Sequence, residues 1–234
     1  MLRKSTDNHN STKEQIVKNI SLDGNTYLLV EYPDFIEDDK KKIRVKGLGE
    51  KFASVNSFFL DYLKEYHIPV AFVKNHSKTS LKFLNYQKFP FYIRIYNAAD
   101  KRTARIFNKK EFELLNLPLF ELHYGNGKDS LITESHLISF DLATYEELKL
   151  INRICSKVNA VLKSYFERRG KVLAGMDCCF GKADDKIYVV EDFTPKSLKV
   201  IPHEMDNKFL DPNKITTPSQ LRKYTDHLFK LTSS

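Results

Sequence analysis

A long amphipathic helix followed directly by a β-hairpin is the feature that most constrains the fold. Thr144-x-x-Glu147 has the spacing of a capping box, in which each side chain accepts a hydrogen bond from the other residue's backbone N–H. Gly170 marks the helix end, because glycine readily adopts the left-handed conformation found there. The apolar face of the helix recurs at a spacing of three or four residues and consists of Leu148, Ile151, Cys155, Val158, Leu162 and Phe166.

The hairpin predicted after this helix leads into an acidic segment. Its strands cover residues 172–181 and 186–192, joined by an Asp184-Asp185 turn. The second strand runs into Glu191-Asp192-Phe193-Thr194-Pro195. We predict that the stretch 173–199 is the chemical centre of the protein.

The remaining elements indicate an α+β protein. We expect a disordered leader over residues 1–14, a hairpin over 20–32 with a turn at Asp23-Gly24, and a helix that ends near His67. Strands are expected at 69–73, 81–86 and 91–96, a short helix at 110–115, and a last helix from Thr217. Strands come first, and helices mixed with a second hairpin follow, which favours α+β over a doubly wound sheet.

The strand over 91–96 alternates between apolar and polar positions. Phe91, Ile93 and Ile95 share one face, whereas Arg94 lies on the other between two tyrosines. Arg94 is therefore either a surface arginine or an anion ligand held in a cleft.

Composition excludes some classes of protein. The net charge of +8 suits anionic ligands, but the basic residues are dispersed and no nucleic-acid-binding motif is present. No apolar run approaches the ~20 residues that span a bilayer. Cys155, Cys178 and Cys179 lack metal-ligand spacing, so we expect reduced cysteines in a cytoplasmic protein without membrane or nucleic-acid partners.

Several motifs, in order from about residue 20 to residue 233, resemble the SAICAR synthetase (phosphoribosylaminoimidazole-succinocarboxamide synthase) family. Each motif is weak alone, and the ordered set is fairly specific for the fold. The motifs are Gly47-Leu-Gly-Glu50, Pro118-Leu-Phe, the stretch from Asp129 to His136, Phe180-Gly181, and the run from Glu191 to Pro195.

The resemblance implies a two-lobed fold with an ATP cleft. Residues 15–95 would form a β-rich nucleotide-binding lobe, and residues 96–234 a substrate and metal lobe. The family uses ATP with Mg²⁺ to join the carboxylate of an aminoimidazole ribonucleotide to the amine of aspartate. The resemblance also implies a homo-oligomer whose partners are a small-molecule carboxylate and an amine.

The resemblance further implies roles for individual residues. Glu191 and Asp192 would hold the metal and contact the nucleotide, together with Lys18. Asp177 and Glu191 would be catalytic. The substrate or phosphate ligands would be Asp34, Arg94, Lys101, Asp129, Ser197 and Lys199.

Departures from the family pattern leave the reaction open. The family's glycine-containing, lysine-rich turn is replaced at 17–21, and its Asp-x-Lys-x-Glu run is replaced by Gly175-Met-Asp-Cys-Cys179. We therefore expect an ATP-dependent amide-forming ligase that accepts a non-purine substrate. The alternatives are an authentic SAICAR synthetase and a non-catalytic relative that binds a nucleotide or a partner. A kinase is disfavoured because its catalytic-loop and Asp-Phe-Gly motifs are missing.

Overall fold

The computed structural model describes residues 15–22, 24–38, 41–125, 130–204 and 209–233. The predicted leader at 1–14 lies outside these ranges. The strands are β1 Ile16–Leu22, β2 Asn25–Glu31, β3 Phe35–Asp38, β4 Lys41–Arg44, β5 Phe72–Ser77, β6 Ser80–Leu84, β7 Gln87–Ala98, β8 Leu114–Tyr124, β9 Leu131–Ile132, β10 Lys171–Ala183, β11 Lys186–Val189 and β12 Leu198–Pro202. The helices are α1 Leu48–Glu65, α2 Lys101–Ile106, α3 Glu134–Ser139, α4 Tyr145–Glu167 and α5 Pro218–Thr232.

The first sheet is antiparallel, with the order β1-β2-β6-β5. The hairpin expected over 20–32 is present, and Gly24 takes a positive φ of 78° in its turn. The pair β3 and β4 forms a separate two-stranded sheet just before α1. Helix α1 packs against β5, β6 and α5.

The second sheet is built around β7 and β10. Its order is β11-β10-β7-β8-β9, and β12 pairs with the first half of β10. The β10–β11 turn contains Asp184 and Asp185, both with positive φ. The predicted second hairpin is therefore confirmed. Residues 69–71 link the two sheets, because the Val189 N–H donates to the Pro69 carbonyl at 2.9 Å and the Ala71 N–H donates to the Val189 carbonyl at 3.0 Å.

Helix α4 covers one face of the second sheet. Thr144 and Glu147 form the predicted capping box, and Gly170 follows the helix with a φ of 65°. The apolar side of α4 packs against β10 and joins a core that is continuous with α1 and both sheets. The fold is α+β, as expected. No helix in the described part of the chain is long and apolar enough to cross a membrane.

The helix expected at 110–115 was wrong. The helix in this region is α2, which begins earlier because the Asp100 carboxylate accepts a hydrogen bond from the Thr103 N–H at 2.8 Å. Residues 110–113 instead form a turn with Phe112 at a φ of 66°, and the Phe112 N–H donates to the Ala99 carbonyl. This turn returns the chain to the edge of β7 as β8.

The lobe boundary expected at residue 95 lies inside β7, which belongs to the second sheet. The first sheet ends with β6 at Leu84. The division into nucleotide and substrate lobes stays a prediction.

A buried amide pair joins β7 to α4 and provides a test of this packing. Asn97 Nδ2 donates to Asn159 Oδ1 at 2.8 Å, and Asn159 Nδ2 donates to Asn97 Oδ1 at 3.0 Å. Asn97→Leu leaves the Asn159 amide buried without a partner, which should lower the free energy of unfolding by about 1–3 kcal/mol. Urea unfolding measures the change. The double variant with Asn159→Leu should lose less than the sum of the two single variants, and strict additivity would contradict the pairing.

Candidate functional site

The central strands β7 and β10 carry a row of polar side chains on one face. Arg94 lies opposite Asp177, and Tyr92 lies opposite Cys179. Directly opposite residues in an antiparallel pair project to the same face. The next residue, Cys178, projects to the other face and is fully buried in the core. One face of the sheet is thus closed by packing, and the other is available for chemistry.

Arg94 and Asp177 form a bidentate ion pair across the two strands. Nε lies 2.7 Å from Oδ1, and Nη2 lies 3.0 Å from Oδ2. Nη2 also donates to the Tyr92 hydroxyl at 3.3 Å. The hydrogen bonds with Asp177 raise the pKa of Arg94 above its ordinary value despite partial burial. Arg94 is therefore held in a fixed direction by a planar, two-pronged contact.

This ion pair lies in the wall of a cavity of about 750 Å³. The cavity also receives Lys101 from the start of α2, and Ser197 and Lys199 from the segment that enters β12. Five of the residues predicted from the sequence, separated by up to about a hundred positions, therefore meet at one cavity. Its far wall comes from residues 212–218, ahead of α5.

Lys199 is the most perturbed of the cavity lysines. Its Nζ donates to the Pro195 carbonyl at 3.1 Å and to the Pro212 carbonyl at 3.3 Å. Burial lowers the pKa of Lys199 to about 8, and Arg94 acts in the same direction, while Asp177 and Asp211 oppose the shift. The ammonium consequently loses its proton at about pH 8, well below the range usual for lysine, and is still mostly charged at neutral pH.

Lys101 and Asp100 have different positions at the cavity rim. Asp100 uses its carboxylate to cap α2, so this group is committed to the Thr103 backbone N–H. Lys101 is exposed and lines the cavity. The arrangement leaves a cation at the rim for an anionic ligand.

Glu191 is buried with one carboxylate oxygen unsatisfied. Only 7% of the residue is exposed. Oε1 accepts a hydrogen bond from the Asp192 N–H at 2.9 Å, and Oε2 has no partner among the described residues. Burial raises the pKa of Glu191, against the effect of the nearby Lys88 ammonium. A buried carboxylate oxygen without a donor is costly, so this position is suited to a cation or a proton.

Asp192 projects in a different direction and is held by the N-terminal part of the chain. Its Oδ1 accepts a hydrogen bond from the Tyr32 hydroxyl at 2.9 Å, and Gln15 and Thr194 donate to Oδ2. The Tyr32 hydroxyl in turn accepts from Asn56 Nδ2 at 2.8 Å. The acidic pair is therefore split, and Glu191 alone presents an unsatisfied oxygen.

Two of the other predicted ligands, Lys18 and Asp34, do not line the cavity. Lys18 Nζ pairs with Glu31 at 3.3 Å on the exposed face of β1 and β2. Asp34 accepts hydrogen bonds from the Gly47 and Gly49 N–H groups at 2.9 Å each. Although burial acts to raise it, these bonds hold the pKa of Asp34 below its ordinary value. Asp129 lies outside the described residues. The functional roles of all three stay predictions.

Lys88 is a site residue that the sequence reasoning missed. It interacts with Glu191 and Cys179, and its position on β7 has the same parity as Tyr92 and Arg94. The alternation of side chains along β7 could have placed Lys88 on the face of Tyr92 and Arg94. The strand predicted from the sequence began only at Phe91, so it did not include Lys88.

No group of three or more histidine, cysteine or acidic side chains in the described ranges forms a metal cluster. A divalent cation at Glu191 would therefore need most of its ligands from a bound phosphate group and from water. This is a common way for Mg²⁺ to bind, since it often uses one or two carboxylates together with substrate phosphates.

Comparison of the chain with known proteins identifies its family. The family model described as SAICAR synthetase matches residues 17–217. The chain belongs to this family. A phosphoribosylaminoimidazole-succinocarboxamide synthase of Persephonella marina is 29% identical over 167 residues, which cover 69% of each chain.

Solved structures share the fold. SAICAR synthetase from Pyrococcus horikoshii superposes with a TM-score of 0.80 at 23% identity, covering 93% of this chain and 97% of the other. A SAICAR synthetase in complex with ADP gives a TM-score of 0.80 at 23% identity, covering 93% and 94%. The predictions of a SAICAR synthetase-like α+β fold and of an enzyme from an ATP-dependent ligase family are confirmed.

Lys199 makes the stability of this fold depend on pH. Its pKa in the folded protein, about 8, lies below the ordinary value of 10.5. The unfolded chain therefore binds this proton more tightly, and the free energy of unfolding rises between about pH 8 and about pH 10.5. The stability that the lowered pKa of Lys199 contributes at high pH is lost as the pH falls through the folded-state pKa of about 8.

Urea unfolding of the wild-type protein and of Lys199→Met, at about pH 7 and about pH 9.5, measures this dependence. The variant should lose the part of the pH dependence that belongs to Lys199. A stability difference between the two proteins that is equal at both pH values would contradict the lowered pKa.

Proposed function

We propose that this protein is a phosphoribosylaminoimidazole-succinocarboxamide synthase of purine biosynthesis. The observation that carries the proposal is the cavity lined by the cations Arg94, Lys101 and Lys199. Its wall includes the polar face of β10. Cys179 lies on the same face, and the buried Glu191 carboxylate acts on its thiol. The family match and the curated relatives that bear this name support it. They favour the purine enzyme over a ligase for a non-purine substrate.

The reaction has two steps that the site must support. A carboxylate is a poor electrophile, so its oxygen first attacks the γ-phosphorus of ATP, which forms an acyl phosphate and releases ADP. The amine nitrogen of aspartate then attacks the acyl carbon, loses a proton, and displaces inorganic phosphate. Both steps depend mainly on positioning and on stabilising negative charge.

The cavity provides groups for the anionic parts of the substrates. Lys101 at the rim and Lys199 in the wall can each bind a phosphate or a carboxylate as point charges. Arg94 contributes less free charge because Asp177 occupies two of its N–H donors. In this proposal, Asp177 limits Arg94 to a ligand that approaches its remaining donors.

Glu191 is the group that fits Mg²⁺. Its unsatisfied Oε2 is buried, and oxygen ligands are those that Mg²⁺ prefers. When bound, the cation neutralises charge on the nucleotide phosphates. In this proposal Glu191 would hold the cation. The Asp192 carboxylate already accepts hydrogen bonds from Tyr32 and Thr194, so it is less available to the cation than Glu191.

Use of ATP is supported by the solved relative described as a complex with ADP. The cytoplasmic location, the homo-oligomeric state and the absence of nucleic-acid partners stay predictions. Under this proposal the carboxylate substrate is the aminoimidazole ribonucleotide and the amine substrate is aspartate.

The activity is tested by ADP release from ATP in the presence of Mg²⁺, the aminoimidazole carboxylate ribonucleotide and aspartate. Glu191→Gln should lower turnover by roughly 100-fold or more, because it removes the charge that stabilises the metal and phosphates. Asp185→Asn is a matched control, since Asp185 lies in the exposed β10–β11 turn and asparagine also tolerates its positive φ.

Two results would contradict the proposal. Nucleotide binding without ADP release on these substrates would favour a ligase with another substrate pair. The absence of nucleotide binding in calorimetry with Mg²⁺ would favour a non-catalytic relative.

A further inference from the structure

The hydrogen bonds of the Arg94 guanidinium decide which of its nitrogens can meet a ligand. Nε donates to Asp177, and Nη2 donates both to Asp177 and to the Tyr92 hydroxyl. An arginine carries one hydrogen on Nε and two on each terminal nitrogen. These contacts therefore use every hydrogen of Nε and Nη2, and Nη1 takes no part in them. Because Arg94 lines the cavity, Nη1 is the nitrogen left for an anionic ligand.

The Tyr92 ring, which supplies one of these contacts, is held in place by His123. The two rings stack, with centroids 5.2 Å apart and planes at 13°. The residues lie directly opposite each other on β7 and β8, so their side chains project to the same face. Only 7% of His123 is exposed, so the stack is a packed contact. The direction of the Tyr92 hydroxyl therefore depends on His123.

The His123 ring is itself oriented by hydrogen bonds at both nitrogens. In the neutral ring Nε2 donates to Glu121 Oε2 at 3.4 Å, because a carboxylate can only accept. Nδ1 then accepts a hydrogen bond from the Ser130 hydroxyl at 2.9 Å. The ring cannot rotate without losing one of these contacts. Packing and hydrogen bonds of this kind fix the side chains that support a binding site.

Glu121 would compete for Arg94 if its carboxylate were free. It lies directly opposite Arg94 on β8, as Asp177 does on β10. Arg102 Nη2 donates to Glu121 Oε1, and His123 occupies Oε2. Both oxygens of Glu121 are thus engaged, and Arg94 pairs with Asp177 instead.

These supporting residues act on the cavity indirectly. Tyr92, Glu121 and His123 do not line it, whereas Arg94 does. The aminoimidazole carboxylate ribonucleotide carries a phosphate and a carboxylate, so a cavity with several cations suits it. The route from His123 to this ligand leads through the Tyr92 hydroxyl and the Arg94 guanidinium.

We propose that His123 is a positioning residue for the ribonucleotide substrate, because it holds the Tyr92 ring whose hydroxyl directs Arg94 towards the cavity. The inference rests on the proposed function, which supplies the identity of the substrate. It adds a side chain of β8 to the groups that determine affinity at the cavity.

Steady-state kinetics of ADP release by the full chain test the proposal. His123→Leu should raise the KM for the ribonucleotide about fivefold or more, the effect of one hydrogen bond that is no longer held in place. The kcat and the KM for ATP should stay within about twofold of wild type, since only ground-state binding of the ribonucleotide is affected. His76→Leu is the matched control, because His76 is exposed on β5 of the first sheet.

A double variant separates action through Tyr92 from a general loss of packing. Tyr92→Phe removes the hydroxyl that Arg94 contacts and keeps the ring, so it should raise the same KM by a similar factor. If His123 acts through this hydroxyl, adding His123→Leu to Tyr92→Phe should change the KM little further. A double variant in which the two effects multiply would overturn the proposal.

The outcomes distinguish this inference from the proposed function. If the wild-type protein releases ADP and His123→Leu leaves the KM for the ribonucleotide unchanged, the role of His123 is overturned and the proposed function stands. Equal rises in the KM for the ribonucleotide and for ATP would indicate general damage and also overturn it. If the wild-type protein does not release ADP on these substrates, both proposals fail.

Circular dichroism and thermal unfolding accompany the kinetics. If His123→Leu does not fold, His123→Asn provides the decisive comparison, since it removes the stacking ring and keeps a polar end. A folded His123→Asn with the wild-type KM for the ribonucleotide would overturn the inference. A rise of about fivefold, not increased further by Tyr92→Phe, would support it.

Discussion

The antiparallel pairing of β7 with β10 is the constraint on which the rest of the structure depends. Because side chains alternate along a strand, this one ladder decides which residues enter the core and which reach the site. Ile93 and Cys178 are buried on the face that α4 covers, and Arg94 and Asp177 emerge on the other. A shift of one residue in this register would bury the ion pair and expose the core.

The acidic run after β11 shows how the local chain direction assigns different roles to neighbouring residues. Glu191 is directed into the interior, where one oxygen lacks a donor, whereas Asp192 accepts the Tyr32 hydroxyl. The backbone is fixed there because the Phe193 N–H donates to Asn56 Oδ1 at 2.9 Å. A segment from the first part of the chain thereby determines the direction of a carboxylate in the second part.

The electrostatics of the site depend on pairing rather than on the number of charges. Arg94 is largely neutralised by Asp177, and Lys199 is shifted towards the neutral form by burial and by Arg94. Lys101 keeps its exposure at the cavity rim, and Lys88 keeps its charge beside Glu191. The cavity therefore holds cations that differ in how free their charge is, and the buried Glu191 Oε2, which has no partner among the described residues, lies outside the cavity lining.

The sequence by itself determined the elements whose causes are local. The capping box at Thr144 and Glu147, the Asp184-Asp185 turn and the alternation from Phe91 to Ile95 all depend on residues a few positions apart. The motifs also determined the family. The expected helix at 110–115 was wrong because Asp100 caps an earlier helix and because residues 110–113 form a turn that pairs with Ala99.

Only the tertiary structure decided which side chains meet. It paired Arg94 with Asp177, separated Glu191 from Asp192, and brought Lys88 to a carboxylate about a hundred residues away. The physical reason is that strand register and burial set these contacts, and both arise from packing between distant segments. Composition and periodicity describe which face a residue occupies, whereas its partner and its pKa depend on what the fold places opposite it.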